Sequence, residues 1–194
     1  MVERQSGLLR QLEARDFSRV RLHKINLKYQ KNLQNRNLTS DKIKTIDPKL
    51  GIPLLEAASL ETDDFLQNTW ARLLTNAVDP NFKSEIRVAF VDIIKTLTAV
   101  DVKILEEIHS SLSQEEKLNS TSIEVHINSP KILNSLKVDM VTYEASLNNL
   151  ERCQLISYPD PMWGNVDENG NIIRIFTAFG MLFVRACVDK NPQP

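Results

Sequence analysis

The stretch that decides the fold runs from Ile52 to Ile108, IPLLEAASLETDDFLQNTWARLLTNAVDPNFKSEIRVAFVDIIKTLTAVDVKILEEI. It reads as three consecutive helices leading into the entry of a further one. Pro53 sits at a natural first helical position, and the spacing predicts a short helix over Leu54 to Leu60. Thr62 is a good N-cap, and Asp63 and Asp64 suit the positive end of the next helix dipole. Leu66, Trp70, Leu73, Leu74 and Ala77 line one face of that helix, which Asp79-Pro80-Asn81 stops. Ile86, Phe90, Ile93, Ile94 and Leu97 carry the following helix. Thr98 with Asp101 is an N-terminal cap signal, after which Val102, Leu105, Ile108 and Leu112 face inward.

Working outward, Gln5 to Asn35 reads as one long helix or two in line. Leu22, Ile25, Tyr29 and Leu33 recur at helical spacing as an apolar stripe. Arg21, Lys24, Lys28 and Lys31 form a basic stripe about 100° around the helix from it. Asn37 to Gly51 is a polar connector, with a helical turn at Ser40 to Ile46. Downstream, Gln114 to Ser122 reads as a polar loop, and Ser129-Pro130 opens a short helix through Leu136. Val138-Asp139 is a tight junction before a helix from Met140 to Arg152, with Val141, Leu147 and Leu150 buried. Gln154 to Tyr158 and Ile172 to Phe176 pair as a hairpin around a turn-rich loop, and Phe179 to Val188 closes the chain as a helix. The expected class is mainly α, with a helical region over residues 1–97 and a winged helix-turn-helix-like module with a small β-hairpin over residues 98–194.

Two runs carry a resemblance. One is Trp70-Ala71-Arg72-Leu73-Leu74 after its acidic helix start, with the Leu-x-x-x-Asp entry from Leu97 to Asp101. The other is Phe176-Thr177-Ala178-Phe179-Gly180, followed by Phe183-Val184-Arg185-Ala186-Cys187. Together they resemble the bacterial Abi-alpha (abortive infection alpha) family over roughly Arg21 to Val188, and the segment before it departs from the family pattern. The resemblance implies a role in phage defence or the response to infection.

Composition bounds the rest. At 194 residues, 42% hydrophobic and 25% charged, the chain can bury a core as a globular protein. No apolar run approaches the about 20 residues that span a bilayer, and the N-terminus lacks the apolar core of a signal peptide. A cytoplasmic location follows as the expectation. Cys153 and Cys187 have no CxxC spacing and read as reduced thiols. Residues 1–50 hold twelve Lys/Arg against five Asp/Glu, a net +7, and the remainder twelve against twenty, a net −8. A basic arm on an acidic body folds back on it or reaches for an anionic partner.

For catalysis the sequence offers nothing. His23, His109 and His126 lie in separate elements without a second ligand at metal-binding spacing. No nucleophile elbow and no phosphate-binding loop motif occur. The carboxylate doublets Asp63/Asp64, Glu106/Glu107 and Glu115/Glu116 point about 100° apart on a helix. The expectation is therefore no enzyme, no metal, no cofactor and no small-molecule substrate.

Binding is the remaining class. The basic stripe Arg21, Lys24, Lys28 and Lys31 is neutralised by the acidic body or meets a nucleic acid or an anionic membrane. Leu22 and Ile25, with Met162 and Trp163 in the wing loop, are the candidate protein-contact residues; Trp163 is either tucked under the wing or free as an anchor. If the winged helix met DNA, Ser146, Asn148, Asn149 and Arg152 would make the contacts. Acidic Asp139, Glu144 and Glu151 on that helix, and Asp160, Asp167 and Glu168 in the wing, oppose phosphates. The sequence thus points to a non-enzymatic protein-interaction module that self-associates or takes a protein partner, with a winged-helix DNA-binding regulator as the alternative.

Overall fold

A computed structural model describes residues 2–119, 122–127, 129–159, 167–169 and 171–188. The chain divides into two compact units, residues 1–82 with 87–95, and residues 83–86 with 96–194.

The first unit contains α1 (Val2–Asn35), α2 (Pro48–Ser59), α3 (Asp64–Val78) and α4 (Ala89–Ile94). α1 packs chiefly on α3 and also on α2. Lys24 and Lys28 meet Asp64 at the start of α3, while Arg36 meets Asn76 and Asp79 at its end, so α1 and α3 run in the same direction. Ile25 and Leu33 from α1, Leu54 and Ala58 from α2, and Leu66, Trp70, Leu73 and Ala77 from α3 are buried. Asn37 ends α1 at φ 54°, the left-handed position that asparagine tolerates. The Leu38 N–H then reaches back to the Leu33 carbonyl at 2.9 Å, and both side chains cluster with Val78.

Several boundaries differ from the sequence reading. α2 begins at Pro48, because Asp47 accepts from the Lys49 N–H at 2.8 Å and Pro48 takes the first turn. Pro53 then lies inside the helix, where its missing N–H forfeits one backbone bond. Asp63 rather than Thr62 caps α3, its carboxylate accepting from the Phe65 and Leu66 N–H groups at 2.7 and 3.0 Å; a full charge suits the helix N-terminus better than a hydroxyl. α4 is shorter than Ile86 to Leu97. Thr98 must be extended to cap the next helix, so the chain leaves α4 before it.

The second unit runs α5 (Ala99–Ser111), α6 (Gln114–Asn119), β1 (Ile123–Ile127), α7 (Ser129–Leu136), α8 (Met140–Arg152), β2 (Ile156–Ser157), β3 (Ile172–Phe176) and α9 (Ala178–Cys187). Thr98 and Asp101 form a reciprocal capping box on α5. The three strands make one antiparallel sheet in the order β1-β3-β2, with Val125 opposite Arg174 and Ile156 opposite Phe176. α8, α7 and α9 pack on α5. The core gathers Val102, Ile104, Leu105, Tyr143, Leu147, Leu150, Phe176 and Phe183.

The expected polar loop at Gln114 to Ser122 is instead largely α6. Ser113 and Glu116 exchange bonds of 3.2 and 2.7 Å as a Ser-x-x-Glu capping box, a helix start that polarity alone conceals. β1 adds a strand to the expected hairpin, and its alternating Ile-Glu-Val-His-Ile is the ordinary signature of a half-buried strand. Val141, expected to be buried, is 79% exposed. It lies in the first turn of α8, two residues before Tyr143 and so about 200° around the helix from the inward row Tyr143, Leu147 and Leu150. No helix among the described residues is long and apolar enough to cross a membrane.

Candidate functional site

The basic stripe of α1 is drawn onto its own unit. Arg21 donates to the carbonyls of Leu60 and Ser59 at 3.2 and 3.5 Å, closing the exposed C-terminus of α2. Lys24 lies 3.6 Å from the Asp64 carboxylate, and Lys28 donates to the Asp64 carbonyl at 2.5 Å. Burial pushes the Lys28 pKa down, opposed by Asp64. Lys31 is exposed. The repulsion along the stripe is thus offset by the end of α2 and the start of α3.

The candidate contact residues on α1 are committed to packing as well. Ile25 is 2% exposed and Leu22 is half-buried. Among the α1 residues whose side chains are described, the large apolar ones that face outward are Val20 and Leu27, seven apart on one face. Sequence reasoning passed over them because a second stripe on a helix carries no sign of which one packs. Met162 and Trp163 lie outside the described residues.

On α8 the four candidate DNA contacts separate. Ser146 is buried. Asn149 donates to the Thr96 carbonyl at 3.0 Å and to Asp101 at 2.9 Å, so it ties α8 to the N-terminus of α5. Arg152 is exposed and donates to the Asn149 side-chain oxygen at 2.8 Å. Asn148 is exposed. The outward face of α8 is led by Met140 and Val141, followed by Ala145 and Asn148 one and two turns on. Its acidic N-cap, Asp139, accepts from the Thr142 N–H at 2.7 Å, which holds its carboxyl below the usual range.

Beneath the far end of α8 sits a charged pair that the sequence did not advertise. Arg174 of β3 is 4% exposed, and its Nε forms an ion pair with Glu151 Oε1 at 2.8 Å. The guanidinium stacks 4.2 Å from the Tyr158 ring centroid and donates to the Ile173 carbonyl at 2.8 Å. Burial pushes the Glu151 carboxyl up, opposed by Arg174 and by a hydrogen bond with Tyr158.

The hairpin carries the third feature. His126 on β1 shares its Nδ1 with Asp167 at 2.8 Å and its Nε2 with Glu124 at 3.3 Å. Asp167 also accepts from the backbone N–H groups of Asn169 and Asn171 and from the Asn171 side chain, at 2.8 to 2.9 Å. These bonds, the Asn171 side chain first and His126 next, hold the Asp167 carboxyl far below its ordinary range. Asp167 in turn raises the His126 pKa above the ordinary 6.5, partly offset by desolvation and supported by Glu124. A histidine whose folded pKa is raised contributes stability that is fully present below its unfolded value and is lost as pH rises through the folded value. An NMR titration of His126 is therefore expected to give a midpoint above 6.5, falling back in Asp167→Asn. An unshifted midpoint in the wild type would contradict the contact.

Among the described residues, no group of three or more His, Cys, Asp or Glu is placed to hold a metal ion. His126 is exposed while His109 is buried on α5, and Cys153 and Cys187 are free thiols. Comparison with curated proteins and with solved structures returns no match. The family model described as Abortive infection alpha matches residues 20–187, from the outward-facing Val20 of α1 to the last residue of α9. The chain belongs to the Abortive infection alpha family.

Proposed function

We propose that this protein is a non-enzymatic interaction module of the response to phage infection, in which a winged-helix unit serves as a protein-binding platform. Family membership supports the setting. The order α5-α6-β1-α7-α8-β2-β3, with the sheet ordered β1-β3-β2, supports the winged-helix reading. One observation carries the choice of protein over nucleic acid. The helix that would enter a groove presents Met140, Val141 and Ala145 outward, while Ser146 and Asn149 are spent inside the unit. Base readout needs donors and acceptors on that face and cations around it. An exposed apolar start flanked by Asp139 and Glu144 suits a protein contact instead. The platform reading also moves the sequence-based emphasis from Leu22 and Ile25 to the start of α8.

The test is light-scattering mass after size exclusion, with and without random-sequence duplex DNA, at low and moderate salt. The reading expects an assembly whose mass ignores DNA and falls in Val141→Glu. A chain that moves onto duplex at low salt and leaves it at moderate salt overturns the reading in favour of a DNA-binding regulator, with Asn148 and Arg152 as its exposed contacts.

A further inference from the structure

We propose that the outer edge of β1 pairs antiparallel with the same edge of a second copy of this chain, two-fold related about Val125, joining two three-stranded sheets into one. β1 lies at an edge of the sheet and, among the described strands, pairs with β3 alone. A strand edge leaves a row of backbone N–H and C=O groups as a template for another strand. The opposite edge, β2, has only two residues, whereas β1 has five and carries no Pro, Gly or Lys to blunt it.

The occupant is argued from the side chains. Ile123-Glu124-Val125-His126-Ile127 reads almost the same in both directions, with Glu124 and His126 exposed on one face and Val125 and Ile127 buried on the other. Antiparallel partners share a face only when the two-fold axis passes through a residue position, since a one-residue slip exchanges the faces. An axis at Glu124 or at His126 sets like groups against each other. An axis at Val125 sets each Glu124 opposite His126 of the second copy, and each Ile123 opposite Ile127 of the second copy. Opposite charges directly across a strand pair stabilise it and like charges destabilise it. Five residue pairs fall well short of the about 1,600 Å² of a standard interface. The assembly is therefore a weak, concentration-dependent dimer.

His126 faces Glu124 on its own strand, Asp167 in the turn before β3, and the non-titrating Ile173 across β3. In the dimer it faces Glu124 of the second copy as well. Every titrating neighbour among the described residues is a carboxylate, so the pairing is strongest when His126 is protonated. The raised His126 pKa is consistent with that surrounding.

The experiment is sedimentation equilibrium of the full chain up to about 1 mM at pH 6 and pH 8.5, the range in which a high-micromolar Kd is readable. The wild type is expected to dimerise at pH 6 and to weaken about fivefold at pH 8.5, from two lost cross-strand ion pairs. His126→Lys keeps the dimer at both pH values, because its cation does not titrate in that range. Glu124→Lys loses it at pH 6, where two cations then face each other across the strands, with circular dichroism and melting reporting that the exposed substitution leaves the fold intact. A monomer at every concentration overturns the proposal, including the case in which the edge serves a peptide of another protein. So does a dimer indifferent to Glu124→Lys. The α8 reading fails separately, because Val141→Glu leaves the β1 dimer unchanged while Glu124→Lys leaves the α8 surface unchanged.

Discussion

Gly180→Ala is expected to cost the second unit about 3 kcal/mol, near the upper end for overpacking a tight site. A Cβ at this position would stand 2.0 Å from the Leu155 carbonyl oxygen, 2.8 Å from the Phe176 ring and 2.9 Å from the Leu155 carbonyl carbon. Two of these three are backbone atoms, and that backbone is tethered on both sides. The Leu155 carbonyl accepts from the Thr177 N–H at 3.2 Å and from the Thr177 hydroxyl at 3.2 Å, and the Leu155 N–H donates to Leu150 at 3.0 Å. Thr177 is also the N-cap of α9, accepting from the Gly180 N–H at 2.8 Å. Pushing α9 away to admit a methyl group therefore pulls on its own cap and on the end of β3. The helix-propensity gain of about 1 kcal/mol from Gly to Ala is too small to offset this. Urea unfolding followed by circular dichroism should show the midpoint fall without a change in slope. Gly51→Ala, whose Cβ meets only the Ile46 side chain at 3.3 Å, is the control; a Gly180→Ala variant as stable as this control would mean α9 does not approach Leu155 so closely.

The second large effect concerns Glu151 and Arg174. Glu151→Ala leaves a guanidinium, 4% exposed, whose partners among the described residues are the Ile173 carbonyl and the Tyr158 ring. Breaking a buried pair on one side typically costs about 3–5 kcal/mol, because the remaining charge stays desolvated. The Tyr158 ring recovers part of that, so about 3 kcal/mol is expected. Replacing both partners, as Glu151→Leu with Arg174→Met, removes the charge together with its penalty and should return stability to within about 1 kcal/mol of wild type. A double-mutant cycle on urea unfolding measures this coupling directly. Equal losses in the single and the double variant would mean that packing, not charge, holds this corner.

Much of the fold was legible because helix ends announce themselves locally. The Thr98/Asp101 box, the Asp79-Pro80-Asn81 stop and the Asp139 entry to α8 all lie where the sequence places them. The misplaced ends at Thr62 and Pro53 arose where two good cap or first-turn residues compete within a few positions, a contest that tertiary contacts decide. α6 and β1 were missed although their local signals, Ser113-x-x-Glu116 and strict alternation from Ile123 to Ile127, were present. A polar stretch and a five-residue strand invite the label of loop.

The candidate site was less legible. Exposure depends on which of several faces finds a partner. Asn149 has the residue type of a base reader, and only its distances to Thr96 and Asp101 reveal a tether. Val141 has the residue type of a core residue, and only its place outside the inward row of α8 exposes it. Arg174 sits in a strand of five residues, and nothing in Ile-Ile-Arg-Ile-Phe says that it meets Glu151, twenty-three positions earlier.

By itself, the sequence determined the family, the mainly helical class, the caps and the alternation, because these are set by residues within one or two turns of each other. The tertiary structure alone decided that the α1 cations serve the ends of α2 and α3, that α8 turns an apolar start outward, and that β1 is an edge strand among the described strands. Those outcomes turn on long-range packing, in which each buried polar group takes a nearby partner and whatever is left over becomes the surface.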